Sequence, residues 1–128
     1  MSRKILVVDD DDDVRRLAVM SLSRVGGHDV RAAESGAACL AALAEELPDA
    51  IVLDVMMPGM DGPATLAEIR AGSHTYAVPV VFLTAGVGES DVDRLRSLPV
   101  AGVLRKPFDP MTLPTQVADL LGWQDTSD

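Results

Sequence analysis

The sequence predicts an α/β domain, a five-stranded parallel sheet with helices on both faces. Three observations predict it. Short apolar, β-branched runs alternate five times with segments of helical spacing, the second run being the weakest. Four of the runs end on polar residues: Ile5-Leu6-Val7-Val8 on Asp9-Asp10, Ile51-Val52-Leu53 on Asp54, Val80-Val81-Phe82-Leu83 on Thr84, and Gly102-Val103-Leu104 on Arg105-Lys106-Pro107. The chain of 128 residues is one domain in size, and its 48% hydrophobic content is enough to bury a core. Right-handed crossovers between parallel strands bring all strand C-termini to one edge, where ligands bind.

The elements follow in order. Lys4–Val8 reads as a strand buried on both faces. The aspartate run leads into a helix whose inward face carries Val14, Leu17, Ala18, Ser21, Leu22 and Val25, with Arg15, Arg16 and Arg24 off that face. Gly26-Gly27 ends it, and His28–Ala33 is the weaker second strand. Ser35 caps a helix with Leu40, Leu43, Ala44 and Leu47 inward, and Pro48 stops it. Ala50–Leu53 is the third strand. Met56-Met57-Pro58-Gly59-Met60-Asp61-Gly62 is a turn-rich loop. A helix over about Pro63–Ala71 buries Leu66 and Ile69, and Gly72–Val78 is a loop. Val80–Leu83 is the fourth strand. Gly86–Ser90 connects flexibly to a short helix with Val92, Leu95 and Leu98 inward. Ala101–Leu104 is the fifth strand. The last helix runs from about Met111 to Leu121, with Leu113, Val117, Leu120 and Leu121 inward and Gly122 as its stop. Residues 1–122 thus form one domain, and 123–128 form a short polar tail, frayed over Gln124–Asp128.

Composition excludes several classes. Asp and Glu number 20 against 11 Lys and Arg, a formal charge of −9, which opposes nonspecific nucleic-acid binding. No segment is apolar and long enough to cross a bilayer, and Arg3-Lys4 before a short apolar run makes a poor signal peptide. The lone Cys39 has no partner for an internal disulfide and reads as a small buried residue, which fits a reduced cytoplasmic setting. His28 and His74 have no ligand spacing. The methionines Met20, Met56, Met57, Met60 and Met111 read as core and loop packing, and Trp123 as packing for the last helix.

The polar strand ends carry the chemistry. Alone, Asp54 is a turn aspartate. Beside Asp9 and Asp10 it becomes one of three converging carboxylates, which repel unless a cation such as Mg²⁺ joins them. Asp11, Asp12 and Asp13 suit a helix N-terminus instead. The run lacks the alternating ligands and central glycine of a calcium-binding EF-hand loop. Lys106 is a compact cation able to reach phosphoryl oxygens, and the chain's other lysine is Lys4. The Thr84 hydroxyl and the Ala85 amide are candidate donors to the same group. The set points to phosphoryl transfer onto Asp54. The Lys106-Pro107 bond is either cis or trans on this reading.

With these motifs in order, together with Leu53-Asp54-Val55-Met56-Met57-Pro58-Gly59-Met60-Asp61-Gly62, Leu83-Thr84-Ala85 and Lys106-Pro107-Phe108, the chain resembles the receiver domains of two-component response regulators from about Arg3 to Leu121. The resemblance implies the flavodoxin-like (βα)5 receiver fold and a bacterial-type phosphorelay switch. It implies Asp54 as phosphoacceptor, with Mg²⁺ (Mn²⁺ as substitute) held by Asp10 directly, by Asp9 mainly through water, by Asp54 and by the Met56 carbonyl. Thr84 and Lys106 would contact the phosphoryl group. The donor would be a histidine kinase or histidine phosphotransfer protein, and the target-binding surface would span about Asp91–Leu121. Direct nucleic-acid binding, membrane insertion and substrate turnover are not expected.

Two positions depart from what many such domains carry. Val103 stands where an aromatic ring usually moves with the threonine, so a muted or rerouted change in the fourth-helix face is expected. Met56 and Gly86 offer no carboxylate or amide to orient a water, so slow self-dephosphorylation is expected. A phosphatase or phosphotransferase acting on a diffusible substrate is the rival enzyme reading, but position 56 lacks its usual general acid. A degenerate, binding-only receiver would have lost one of the acidic pair, the acceptor or the lysine, and none is lost. A flavodoxin-like cofactor binder conflicts with the 3% aromatic content and the missing phosphate loop. A stand-alone receiver and the receiver of a longer protein both fit the sequence.

Overall fold

A computed structural model describes residues 2–86 and 88–123. The expected fraying of Gln124–Asp128 lies outside these residues, as does Val87 in the Gly86–Ser90 connection.

Five strands and five helices alternate: β1 (Lys4–Val8), α1 (Asp12–Met20), β2 (Asp29–Ala33), α2 (Gly36–Glu45), β3 (Ala50–Asp54), α3 (Gly62–Ala71), β4 (Val80–Thr84), α4 (Glu89–Arg96), β5 (Gly102–Arg105) and α5 (Leu113–Leu121). The strands form one parallel sheet in the order β2-β1-β3-β4-β5. This is the flavodoxin-like order, with its crevice between the C-terminal ends of β1 and β3.

The period of two along each strand divides the core between the two faces. Leu6, Val8, Ile51, Leu53, Val80 and Phe82 pack with Cys39, Leu43, Leu66, Ile69, Val92 and Leu95 from α2, α3 and α4. Ile5, Val7, Val52 and Leu83 pack with Ala18, Leu22, Leu113 and Val117 from α1, the turn after it and α5. Fully burying each such Leu, Ile, Val or Phe contributes about 1.5–3 kcal/mol. An exposed pair such as Arg94–Asp91, at 3.6 Å, is worth only about 0–1 kcal/mol, so burial on both faces holds the sheet. Cys39 is buried as expected, and burial pushes its thiol up to about 12.

At the edge where the strands begin, Arg70 ties two loops together. Its guanidinium donates to the carbonyls of Tyr76 (3.0 Å), Val78 (2.7 Å) and Pro99 (3.1 and 2.7 Å). On the other face, the partly buried Trp123 packs against the core and tilts on the His28 ring at 5.5 Å, with the Arg3 guanidinium 4.9 Å above it.

Several expected burials do not occur. Leu17 and Val25 are exposed. The inward stripe runs through Ala18, Ser21 and Leu22, and after Met20 the chain makes a single π-helical turn over Ser21–Val25. In that turn Gly26 donates to the Ser21 carbonyl, an i→i+5 bond that shifts the phase of the helix and carries Val25 outward. Leu47 and Ala44 are also exposed. Pro48 disfavours helical backbone before it, and α2 has already ended at Glu45. The last helix begins at Leu113 and not at Met111, because Asp109 accepts the Met111 amide and closes a turn first. Of the methionines, Met57 packs in the core and Met60 is partly buried, whereas Met20, Met56 and Met111 are exposed.

The loop after β3 is shaped by two glycines. Gly59 adopts φ 75° after Pro58, the left-handed conformation a tight turn requires there. Gly62 donates to the Val55 carbonyl at 2.8 Å. A Cβ at Gly62 would lie 2.6 Å from the Asp54 carbonyl oxygen and 2.8 Å from the Val55 Cα. Both neighbours are backbone and have no rotamer to yield. Gly62→Ala is therefore expected to destabilise the fold by about 1–3 kcal/mol in a denaturant melt, with amide shifts centred on Asp54 and Val55. Unchanged stability and an unmoved Asp54 amide would show that this close approach is not needed.

Candidate functional site

The parallel register sets Val8 beside Leu53, so Asp9 and Asp54 leave neighbouring strand ends together. Asp9 is 1% and Asp54 2% exposed, while Asp10 lies at the surface. One carboxylate oxygen from each of the three lies within 4.8 Å of the others. The convergence expected of Asp9, Asp10 and Asp54 is therefore present.

Lys106 follows β5 and enters the same space. Its amide donates to the Thr84 carbonyl at 2.8 Å, which extends the β4–β5 ladder by one residue. Its Nζ donates to Asp54 Oδ1 at 2.9 Å and lies 2.9 Å from Asp9 Oδ2. The second contact is an ion pair at the same distance. Asp9 Oδ1 accepts the Asp11 amide at 2.9 Å, and the buried Oδ2 has no other partner among the described residues. The Lys106-Pro107 bond, open on sequence grounds, is cis.

The electrostatics are lopsided. Burial raises the Asp54 carboxyl above the ordinary range, Asp9 and Asp10 push it the same way, and Lys106 opposes them. Burial works against the Lys106 charge, but Asp54 and Asp9 outweigh it and hold the ammonium above its usual range. Three ionised carboxylates against one ammonium leave two negative charges. Hard oxygen donors, that excess charge and a buried Asp9 Oδ2 whose polar partner among the described residues is the shared Lys106 ammonium all suit a small divalent cation such as Mg²⁺.

The remaining predicted residues lie around this centre. Thr84 is 2% exposed at the end of β4, one residue past the Leu83 that pairs with Asp54. Its Oγ1 accepts the Gly86 amide at 2.9 Å. Ala85 follows at the surface, and Met56 turns a 72% exposed side chain outward from the loop after β3. Val103 is buried with Phe82, Val92 and Leu95. An apolar groove of about 570 Å³ lies at the opposite edge of the sheet, between Leu40–Leu47 and Gly72–Thr75, and holds none of these groups.

Sequence reasoning missed one contact. Arg15, read there as lying off the packed face, folds back over the strand end. It donates from Nη1 to the Asp9 carbonyl at 2.9 Å and from Nη2 to Asp12 Oδ1 at 2.6 Å. The i,i+3 spacing from Asp12 was visible in the sequence, but the reach to a backbone carbonyl has no sequence signature.

Because burial in the folded state raises the Asp54 pKa, its ionised form is disfavoured by folding, and this cost is fully present at pH values above the raised pKa. Asp54→Asn removes the charge at nearly constant shape. Its melting temperature at neutral pH without divalent cations is expected to equal or exceed that of the wild type. A fall of several degrees would mean that the Lys106 bond outweighs burial and repulsion.

The family model described as response regulator receiver domain matches residues 5–118. The chain is 38% identical over 119 residues to the transcriptional regulatory protein GltR of Pseudomonas aeruginosa, covering 93% of this chain and 49% of the relative. It is 39% identical over 122 residues to the response regulator PleD of Caulobacter vibrioides, covering 94% and 26%. The chain thus spans about half or less of these curated relatives. Among solved structures, the chemotaxis response regulator CheY4 of Vibrio cholerae superposes with a TM-score of 0.85 at 28% identity, covering 94% of this chain and 99% of that one. A putative response regulator from Chloroflexus aurantiacus gives 0.85 at 34% identity, covering 95% and 99%. The chain belongs to the response regulator receiver domain family.

Proposed function

We propose that the domain is a phosphorylation-activated switch of a two-component system or phosphorelay, with Asp54 as the phosphoacceptor. The observation that carries this reading is the buried Asp54 carboxylate, bonded to Lys106 and crowded by Asp9 and Asp10. A histidine kinase or histidine phosphotransfer protein supplies the phosphoryl group. An Asp54 oxygen attacks phosphorus, the phosphorus–nitrogen bond of the donor phosphohistidine breaks, and an acyl phosphate remains on Asp54. Asp9, Asp10, Asp54 and the Met56 carbonyl would hold Mg²⁺, with Mn²⁺ as a substitute. When bound, the cation neutralises charge on the transferring group.

The chain's own residues do the rest. Lys106 already touches the acceptor oxygen and offers its ammonium to the incoming phosphoryl oxygens. The Thr84 hydroxyl and the Ala85 amide bond that group, and Thr84 gives up the Gly86 amide as its hydroxyl turns. The new contacts favour one of two pre-existing surfaces over about Asp91–Leu121, where a downstream protein docks. Val103 has no ring to swing, so the change is routed through Thr84 and the segment after it. The domain works in the cytoplasm, without inserting in a membrane or contacting nucleic acid itself. It catalyses its own modification and turns over no diffusible substrate. The exposed thioether of Met56 stands where a hydrolase would carry its general acid.

Intact mass after incubation with Mg²⁺ and a small acyl-phosphate donor tests the reading. The wild type is expected to gain a single phosphoryl adduct that requires Mg²⁺ and is absent in Asp54→Asn. After donor removal the adduct should persist for minutes or longer, because neither Met56 nor Gly86 can orient a water. An adduct independent of Asp54 would overturn the acceptor assignment. Decay within seconds would overturn the lifetime argument alone.

A further inference from the structure

We infer that Arg15 is a positioning residue for the acidic site. It holds the turn after β1 in the conformation that presents the Asp9 and Asp10 carboxylates to a divalent cation. The inference rests on the functional reading above.

The turn has a specific problem. Asp9 through Asp13 are five consecutive carboxylates, and Asp9 is buried. Their mutual repulsion favours a more open chain than the one observed. Local bonds brace part of the turn: the Asp11 amide donates to Asp9 Oδ1, and Asp11 Oδ1 accepts the amides of Asp13 and Val14. These bonds stay within the turn and the first turn of α1. Arg15 alone among the α1 side chains reaches back from the helix to the strand end, through the Asp9 carbonyl, while its second nitrogen takes the Asp12 carboxylate. A planar guanidinium can hold both at once, and a lysine ammonium on a flexible stem cannot reproduce that fork. The Arg15 side chain is only 20% exposed, whereas that of Arg16, paired with Asp13 at 3.6 Å, is 71% exposed.

Two effects of Arg15 on cation binding have opposite signs, which makes its role measurable. As a positive charge at the Asp9 carbonyl it opposes a cation at the acidic site, so its removal should tighten Mg²⁺ binding. As the brace of the Asp9 turn it favours binding, so its removal should weaken it. Bonds that orient metal ligands commonly matter about tenfold or more, so positioning is expected to win.

The experiment is a calorimetric Mg²⁺ titration of the wild type, Arg15→Ala, Arg15→Lys and Arg16→Ala, with no phosphoryl donor present. Circular dichroism melts confirm that each variant is folded at the titration temperature. The expected result is a dissociation constant raised about tenfold in Arg15→Ala, and an intermediate value in Arg15→Lys. Arg16→Ala, which removes the same charge from the next position, should bind as the wild type does or more tightly. Arg15→Ala binding as tightly as the wild type, or more tightly, would overturn the inference. Where Arg15→Ala does not fold, Arg15→Lys carries the same comparison, and wild-type affinity there would overturn it equally. Absence of saturable Mg²⁺ binding by the wild type would overturn the functional reading itself, and this inference with it.

Discussion

The contact on which the site depends is the Lys106 ammonium set 2.9 Å from both Asp54 Oδ1 and Asp9 Oδ2. Without it, two buried carboxylates would face each other at the ends of adjacent strands with nothing to offset their charge. With it, one ammonium serves two acids, and the exposed Asp10 beside them leaves the group short of positive charge. That shortage is a functional property. It suits the site to a divalent cation between the three carboxylates. The same ammonium is placed to exchange a carboxylate partner for phosphoryl oxygens.

The fold makes this arrangement affordable by putting stability elsewhere. The sheet is buried on both faces by two apolar clusters, and Arg70 and the Arg3–His28–Trp123 stack tie down the edge where the strands begin. The opposite edge, where the strands end, is left to polar groups and short loops. Gly62 closes the loop after β3 against the Asp54 carbonyl, and Arg15 closes the turn after β1 against the Asp9 carbonyl. Each acidic strand end is thus held from behind, through its backbone, by a residue that takes no part in the chemistry.

Much of this was legible in the sequence, because hydrophobic period and strand-end position are local properties. The five apolar runs became the five strands, and parallel topology then forced Asp9, Asp54, Thr84 and Lys106 to one edge. What was not legible depends on phase and on distance. A single π-helical turn after Met20 carried Val25 out of the core, and two residues of early termination in α2 did the same for Leu47. The exposed Met20, Met56 and Met111 show that composition does not tell packing from surface. The Arg15 contact to a carbonyl six residues back, and the cis bond before Pro107, are set by tertiary geometry that no spacing encodes.

The chain contains two lysines, Lys4 and Lys106, so selective isotope labelling of lysine gives a spectrum with one reporter at the site and one distant from it. Lys4 pairs with Glu46 at the far edge of the sheet and serves as the internal control. Following both side-chain signals through addition of Mg²⁺ and then of a small acyl-phosphate donor tests the shared-ammonium account most directly. The account predicts that Lys106 shifts at each step and that Lys4 does not, with the second shift lost in Asp54→Asn. A Lys106 signal unmoved by both additions, in protein whose mass shows the phosphoryl adduct, would contradict it.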